Sequence, residues 1–284
     1  MDAPPEREDC APFVSVARLM RDAGLHVPEV IAQDLTRGFL LLSDLGATTY
    51  LRALDERNAD ALFADAIAAL IKWQLASKPN VLPPYDEALL QRELDLFPVW
   101  YMERHLGVAP TREQLALLRD TARRLIDAAL AQPRVYVHRD YMPRNLMVSE
   151  PNPGVLDFQD AVYGPITYDV ASLFRDAFVS WPEARVLDWT ARYWELAKRA
   201  GLPVDHDFAR FYRDFEWMGL QRHLKVLGIF ARIRYRDGKP GYLDDAPRFL
   251  AYVRSVAGRY AEFSGLGTLL DTLDARSPSA AHTP

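Results

Sequence analysis

The stretch Val137–Phe158, VHRDYMPRNLMVSEPNPGVLDF, decides how the rest of the chain is read. It carries His138, Asp140, Asn145 and Asp157 in the pattern H-x-D-x-x-x-x-N followed by L-D-F. The apolar runs at 135–137, 146–148 and 155–156 read as short strands, and Pro143-Arg144 breaks the chain between the first two. Asp140 and Asn145 are therefore expected at opposite ends of one tight loop. The turn Glu150-Pro151-Asn152-Pro153-Gly154 should bring Asp157 back beside them.

Three oxygen-bearing side chains converging in this way suit phosphoryl transfer. The transition state of that reaction is loose and highly charged, so a protein mainly positions groups and neutralises charge. Asp140 is placed to accept or orient the proton of an attacking hydroxyl. Magnesium favours hard oxygen ligands, which makes Asn145 and Asp157 candidate metal ligands beside substrate phosphates and waters. Arg144, inside the same loop, is a candidate to meet a phosphate or the acceptor.

The chain has 284 residues, room for one large domain or two closely packed ones. Its 49% hydrophobic and 26% charged residues describe an ordinary globular protein. A net charge of −5 argues against a nucleic-acid surface, because no basic face is evident to displace counterions. Cys10 is the only cysteine and reads as a partly buried spectator; a single thiol suits a reducing compartment. No apolar run approaches 18 residues and the acidic start is unlike a signal peptide, so the expected setting is cytoplasmic, without a membrane partner.

Outward from the motif, the pattern gives a small N-terminal unit and a larger helical one. Phe13, Val16, Ala17 and Met20 recur at helical spacing over 9–23, and Gly24 stops that helix. Strands are expected at Val27–Ala32 and Phe39–Leu42, with a turn at Thr36-Arg37-Gly38. Helices are then expected over 61–75, from Asp86 towards His105 with a kink at Pro98, and from a Thr111/Gln114 capping box to about Ala131. Beyond the motif, helices are expected near 168–179, 182–200, 207–236 and 246–263. The fold class is thus α+β and bilobal, with residues 1–46 as a nucleotide-binding lobe, 47–276 as a catalytic and substrate-binding lobe, and 277–284 as a disordered tail.

These residues resemble the aminoglycoside phosphotransferase-like small-molecule kinases, which share a protein-kinase-like fold. Leu156-Asp157-Phe158-Gln159-Asp160 lacks the glycine of D-F-G, no A-P-E follows, and the segment from Asp157 to Asp169 is too short for an activation loop. Asp169-Val170-Ala171-Ser172-Leu173 is similar to that family's segment after the metal-binding aspartate. Asp169 by this likeness accepts hydrogen bonds from the catalytic loop; it and His138 are supporting residues. HRDYMPRNLM, GVLDFQDAVYGPITYDVASLFRDAF, GFLLLSDLG and MDAPPE further resemble the bacterial anomeric kinases of N-acetylmuramate and N-acetylglucosamine, over nearly all of 1–265. That likeness implies ATP and Mg2+ as cofactors and an amino sugar as the small-molecule partner. It implies phosphorylation at the C1 hydroxyl in peptidoglycan recycling, a route that feeds UDP-N-acetylmuramate synthesis and that some members use for fosfomycin tolerance. The expected state is a monomer.

The resemblance also implies that adenine meets the backbone at Leu42–Leu45, so Ser43, Asp44 and Leu45 are nucleotide candidates. For the sugar, an aromatic face suits its C–H surface, carboxylates and amides suit its hydroxyls, and an arginine suits a lactyl carboxylate. Glu93, Trp217, Gln221 and Arg222 are the candidates. A kinase of this shape also needs a glycine-rich hairpin and a third-strand lysine above the phosphates. Neither is found here, and Met1–Glu6 resembles the end of the third strand, so the small lobe is expected to be truncated by roughly 30–50 residues. Two other readings stay open: a related phosphotransferase acting on an aminoglycoside, choline or another alcohol, and an inactive kinase-like binding protein.

Overall fold

The structure, a computed structural model, describes residues 1–6 and 8–274; the expected tail at 277–284 lies outside the described residues. The chain packs as two compact units, one of Met1–Pro84 with Pro133–Phe211, the other of Tyr85–Gln132 with the described residues from Tyr212 on.

The first unit opens with α1 (Ala11–Asp22), whose Phe13, Val16, Ala17 and Met20 are buried at the expected spacing. The strands β1 (Val30–Asp34) and β2 (Phe39–Leu42) pair antiparallel with a bulge between Val30 and Ala32. β1 starts later than the expected Val27, after Pro28, which has no N–H to give to a ladder. Asp2 bridges to Phe39, so the first residues run along the outer edge of β2.

A single helical turn, α2 (Tyr50–Ala53), leads into α3 (Ala59–Leu75). Beyond Pro133 come β3 (Arg134–Val137), a 3-10 turn at Pro143–Asn145, β4 (Leu146–Met147) and β5 (Gly154–Val155). β6 (Val162–Pro165) pairs antiparallel with β3, a strand that the sequence pattern did not announce because Gly164 and Pro165 interrupt it. The helices α6 (Tyr168–Phe174) and α7 (Glu183–Arg199) complete this unit with the first turn of α8 (Phe208–Asp237). α6 ends well before the expected Val179, because the Asp176 carboxylate takes the N–H groups of Phe178 and Val179 and turns the chain out of the helix. Its core is aromatic: Phe63 lies 4.5 Å from Trp189 and Trp73 lies 4.7 Å from Tyr136, centroid to centroid.

In the second unit Asp86 caps α4 (Glu87–Leu94), accepting from the Leu89 N–H. The expected kink at Pro98 is a change of helix type: residues Phe97–His105 form a π-helix. Pro98 supplies no N–H to the carbonyl four residues back, which favours a wider winding at this point. The Thr111/Gln114 capping box is present at the start of α5 (Arg112–Ala131). The rest of α8 packs here with α9 (Ala246–Arg259) and α10 (Ser264–Asp274). The expected single helix to Phe263 ends at Arg259, where Tyr260 takes extended backbone angles. Gly228 of α8 lies so close to Leu96 that an added Cβ would stand 2.4 Å from the Leu96 carbonyl carbon.

Candidate active site

β3 delivers His138 into the core of the first unit, where its side chain is fully buried. Its Nε2 donates to the Leu156 carbonyl at 3.0 Å, and its Nδ1 accepts the Asp140 N–H at 3.2 Å. A ring that donates on one nitrogen and accepts on the other is neutral. Burial agrees with that, pushing the imidazole below its ordinary value.

Arg139 has a left-handed backbone, φ 76°, uncommon for a non-glycine residue. Asp169, buried at the start of α6, holds it there. Its two carboxylate oxygens accept the N–H groups of His138 at 2.7 Å and Arg139 at 3.0 Å. Charge-assisted bonds of this kind are the strong ones, so α6 fixes the turn that presents Asp140. The Asp140 carboxylate itself accepts no hydrogen bond from a described residue.

Asn145 closes the far end of the loop. Its Nδ2 donates to the Asp140 carbonyl at 2.9 Å and to Asp157 Oδ2 at 3.2 Å. Asp157 also has a left-handed backbone, φ 63°, and its Oδ1 accepts from Gln159 Nε2 at 3.0 Å. Phe158 packs against Phe13 of α1 with centroids 4.8 Å apart, which anchors the Asp157 turn in the core. With both Nδ2 hydrogens spent, the Asn145 amide has Oδ1 left over, and no described residue donates to it. An amide oxygen beside a carboxylate is the hard, oxygen-only donor pair that magnesium takes, so these residues fit the ion. Among the described residues no cluster of three or more His, Cys, Asp or Glu could hold a metal, so substrate oxygens and water would have to fill the remaining positions.

The hairpin bearing Asn145 and Asp157 is pinned at its turn by Asn152. The Asn152 Nδ2 donates to Tyr50 OH at 2.8 Å and to Asp65 at 2.6 Å, and its Oδ1 accepts the Ser149 N–H. Asn152 and Gln159 escaped the sequence reading; both stand in the motif, but their partners are far along the chain or depend on the turn geometry. Arg144 is exposed, and its guanidinium lies 4.9 Å over the Phe178 ring.

At 43–46 the Ser43 hydroxyl accepts the Glu29 N–H at 2.8 Å and Asp44 accepts the Gly46 N–H at 2.9 Å. The Leu45 backbone forms no hydrogen bond to a described residue, and its side chain touches the Gly154 turn.

The four sugar candidates lie in the second unit. Glu93 is buried there; its carboxylate accepts from Tyr85 OH, from Gln221 Nε2 at 3.1 Å and from Lys225 Nζ at 2.8 Å. Arg222 is buried, and Trp217 packs edge-on against Phe263 at 4.7 Å. The structure therefore joins Glu93 to Gln221 directly and places Trp217 in an aromatic cluster with Tyr260 and Phe263.

A sequence profile of the phosphotransferase enzyme family matches residues 1–212. An N-acetylmuramate/N-acetylglucosamine kinase of Pseudomonas putida is 59% identical over 275 residues, covering 97% of this chain and 81% of the relative. One from Neisseria meningitidis is 51% identical over 274 residues, covering 95% and 81%. Among solved structures, a choline/ethanolamine kinase family protein from Mesorhizobium loti superposes with TM-score 0.62 at 15% identity, over 90% of this chain and 81% of that one. An ADP-bound aminoglycoside phosphotransferase superposes with TM-score 0.57 at 16% identity, over 85% and 80%. The fold of the chain is the one these structures share.

Proposed function

This chain belongs to the phosphotransferase enzyme family, and we propose that it moves the γ-phosphoryl group of ATP to the anomeric C1 hydroxyl of N-acetylmuramate and N-acetylglucosamine. The observation that carries the reading is the Asn145 amide bonded at once to the Asp140 carbonyl and the Asp157 carboxylate, which fixes three groups of the H-x-D-x-x-x-x-N…D pattern against one another. Asp140, with its carboxylate uncommitted, orients the C1 hydroxyl and takes its proton. The bond from the γ-phosphorus to the β-phosphate oxygen breaks as the bond to the C1 oxygen forms, and ADP departs. Magnesium, held by Asn145 Oδ1 and the Asp157 carboxylate, would neutralise charge on the phosphate oxygens. Positioning and charge neutralisation are what this chemistry needs from a protein.

The Leu45 backbone, with its hydrogen-bonding capacity unspent, suits an adenine edge. Of the four acceptor candidates, Gln221 and Trp217 keep a buried polar atom, Oε1 and Nε1, without a described partner. Both atoms are closed off from solvent, and the Glu93 carboxylate is engaged by its own neighbours. Reliance on ATP puts the reaction in the cytoplasm, where sugars released from peptidoglycan re-enter metabolism. No helix among the described residues is long and apolar enough to cross a membrane.

The test is ADP release by the purified chain with ATP and magnesium, offered N-acetylmuramate, N-acetylglucosamine, choline and an aminoglycoside in parallel. Turnover with the amino sugars supports the reading. Turnover confined to choline or the aminoglycoside keeps the family chemistry and discards the sugar.

A further inference from the structure

We infer that Arg144 is the residue that recognises the acceptor's carboxylate and so sets the preference for N-acetylmuramate over N-acetylglucosamine. This rests on the proposed amino-sugar reading and deepens it.

The two sugars differ in one group. N-acetylmuramate carries a lactyl ether ending in a carboxylate, and N-acetylglucosamine has a hydroxyl in its place. A group that meets that carboxylate is a direct source of discrimination between them. Arg144 lies within the loop that runs from Asp140 to Asn145, so it stands beside the residue that engages the reacting hydroxyl. It is exposed, and among the described residues no aspartate or glutamate pairs with it. Two acids that flank Phe178 in the chain are engaged elsewhere: Asp176 takes the Phe178 and Val179 N–H groups, and Glu183 pairs with Arg175 at 2.8 Å.

What Arg144 does have is a platform. Its guanidinium lies 4.9 Å over the Phe178 ring, and the Asp176 turn holds the Phe178 backbone at 2.9 Å. A guanidinium resting on a ring keeps its planar fork of N–H donors available, the geometry that meets a carboxylate with two parallel bonds. Ordering this side chain in advance lowers the entropy cost of binding. A guanidinium meant to neutralise Asp140 would pair with that carboxylate, and this one does not. A lysine at 144 would keep the charge but lose the fork.

The experiment compares kcat/KM for the two sugars in the wild type, Arg144→Gln and Phe178→Leu. The readout is the ratio of the N-acetylmuramate value to the N-acetylglucosamine value. Loss of a charge-assisted bidentate contact should lower that ratio by about tenfold to a hundredfold in Arg144→Gln. It should fall by a smaller factor in Phe178→Leu, which removes the platform and leaves the arginine. Equal falls for both sugars, leaving the ratio unchanged, would assign Arg144 to the transferred phosphate and overturn the inference. A wild type that phosphorylates neither sugar would instead overturn the amino-sugar reading on which it rests.

Discussion

His138 accepts the backbone N–H of Asp140 on its Nδ1, 3.2 Å away, while its Nε2 donates to the Leu156 carbonyl. One neutral ring thus ties the Asp140 backbone to Leu156, the residue before Asp157. The histidine of the motif spaces the segment carrying Asp140 from the one carrying Asp157.

That arrangement has a pH signature. The folded imidazole is pushed below its ordinary value of 6.5, chiefly by burial. A depressed pKa means that the unfolded chain binds the proton first. The stabilisation is complete above pH 6.5 and is lost as pH falls from there through the folded value. Thermal melts of the wild type and His138→Gln between pH 8 and 5 should converge as pH falls. A wild type that gains stability relative to His138→Gln over that interval would contradict a neutral buried ring.

Asp169→Ala should cost about 3 kcal/mol or more of stability, because it leaves the buried N–H groups of His138 and Arg139 without their charged acceptor. Arg139, at φ 76°, then loses what holds it, and the presentation of Asp140 goes with it. Denaturant unfolding measures the first effect. Turnover at a temperature where the variant is still folded measures the second, and kcat should fall at least tenfold. A folded Asp169→Ala with wild-type kcat would show that the turn does not need this anchor.

Asp157→Asn should raise the magnesium concentration needed for half-maximal activity and lower kcat by about a hundredfold or more. The substitution keeps the size of the side chain and removes the charge opposite the Asn145 amide. A magnesium titration of activity reads both quantities. An unshifted magnesium dependence would take Asp157 out of the metal site.

Gly228→Ala tests packing in the second unit. Alanine is the better helix former by about 1 kcal/mol. The added Cβ, however, would stand 2.4 Å from the backbone of Leu96, and overpacking of this kind typically costs about 1–3 kcal/mol. The clash should win, with a lower midpoint in denaturant. A stabilised Gly228→Ala would mean that α8 and the chain at Leu96 move apart without cost.

The loop from His138 to Asn145 was legible in the sequence because its residues are close together and bounded by short apolar runs and prolines. Asp140, Asn145 and Asp157 meet as their spacing suggests, and Asp169 reaches back to the loop from 31 residues beyond His138. The helix starts at Asp86 and Thr111 were readable for a local reason, since caps bond within three residues. Long-range pairing left no such trace. β6 is written as Val-Tyr-Gly-Pro, and only its ladder to β3 makes it a strand. Asn152 looks like one more turn residue until Tyr50 and Asp65 arrive from 102 and 87 positions away. The sugar candidates on α4 and α8 rest on residue type, which does not distinguish a ligand platform from a core. Glu93, buried and paired with Lys225 at 2.8 Å, is the case in point.

The central claim is that this protein phosphorylates an amino sugar at C1, and the phosphorus NMR spectrum of its product tests it most directly. With N-acetylglucosamine, ATP and magnesium, the account predicts a new sugar-phosphate resonance split into a doublet by the single anomeric proton. A resonance coupled to the two protons of the C6 methylene, or no sugar phosphate from either amino sugar, would contradict it.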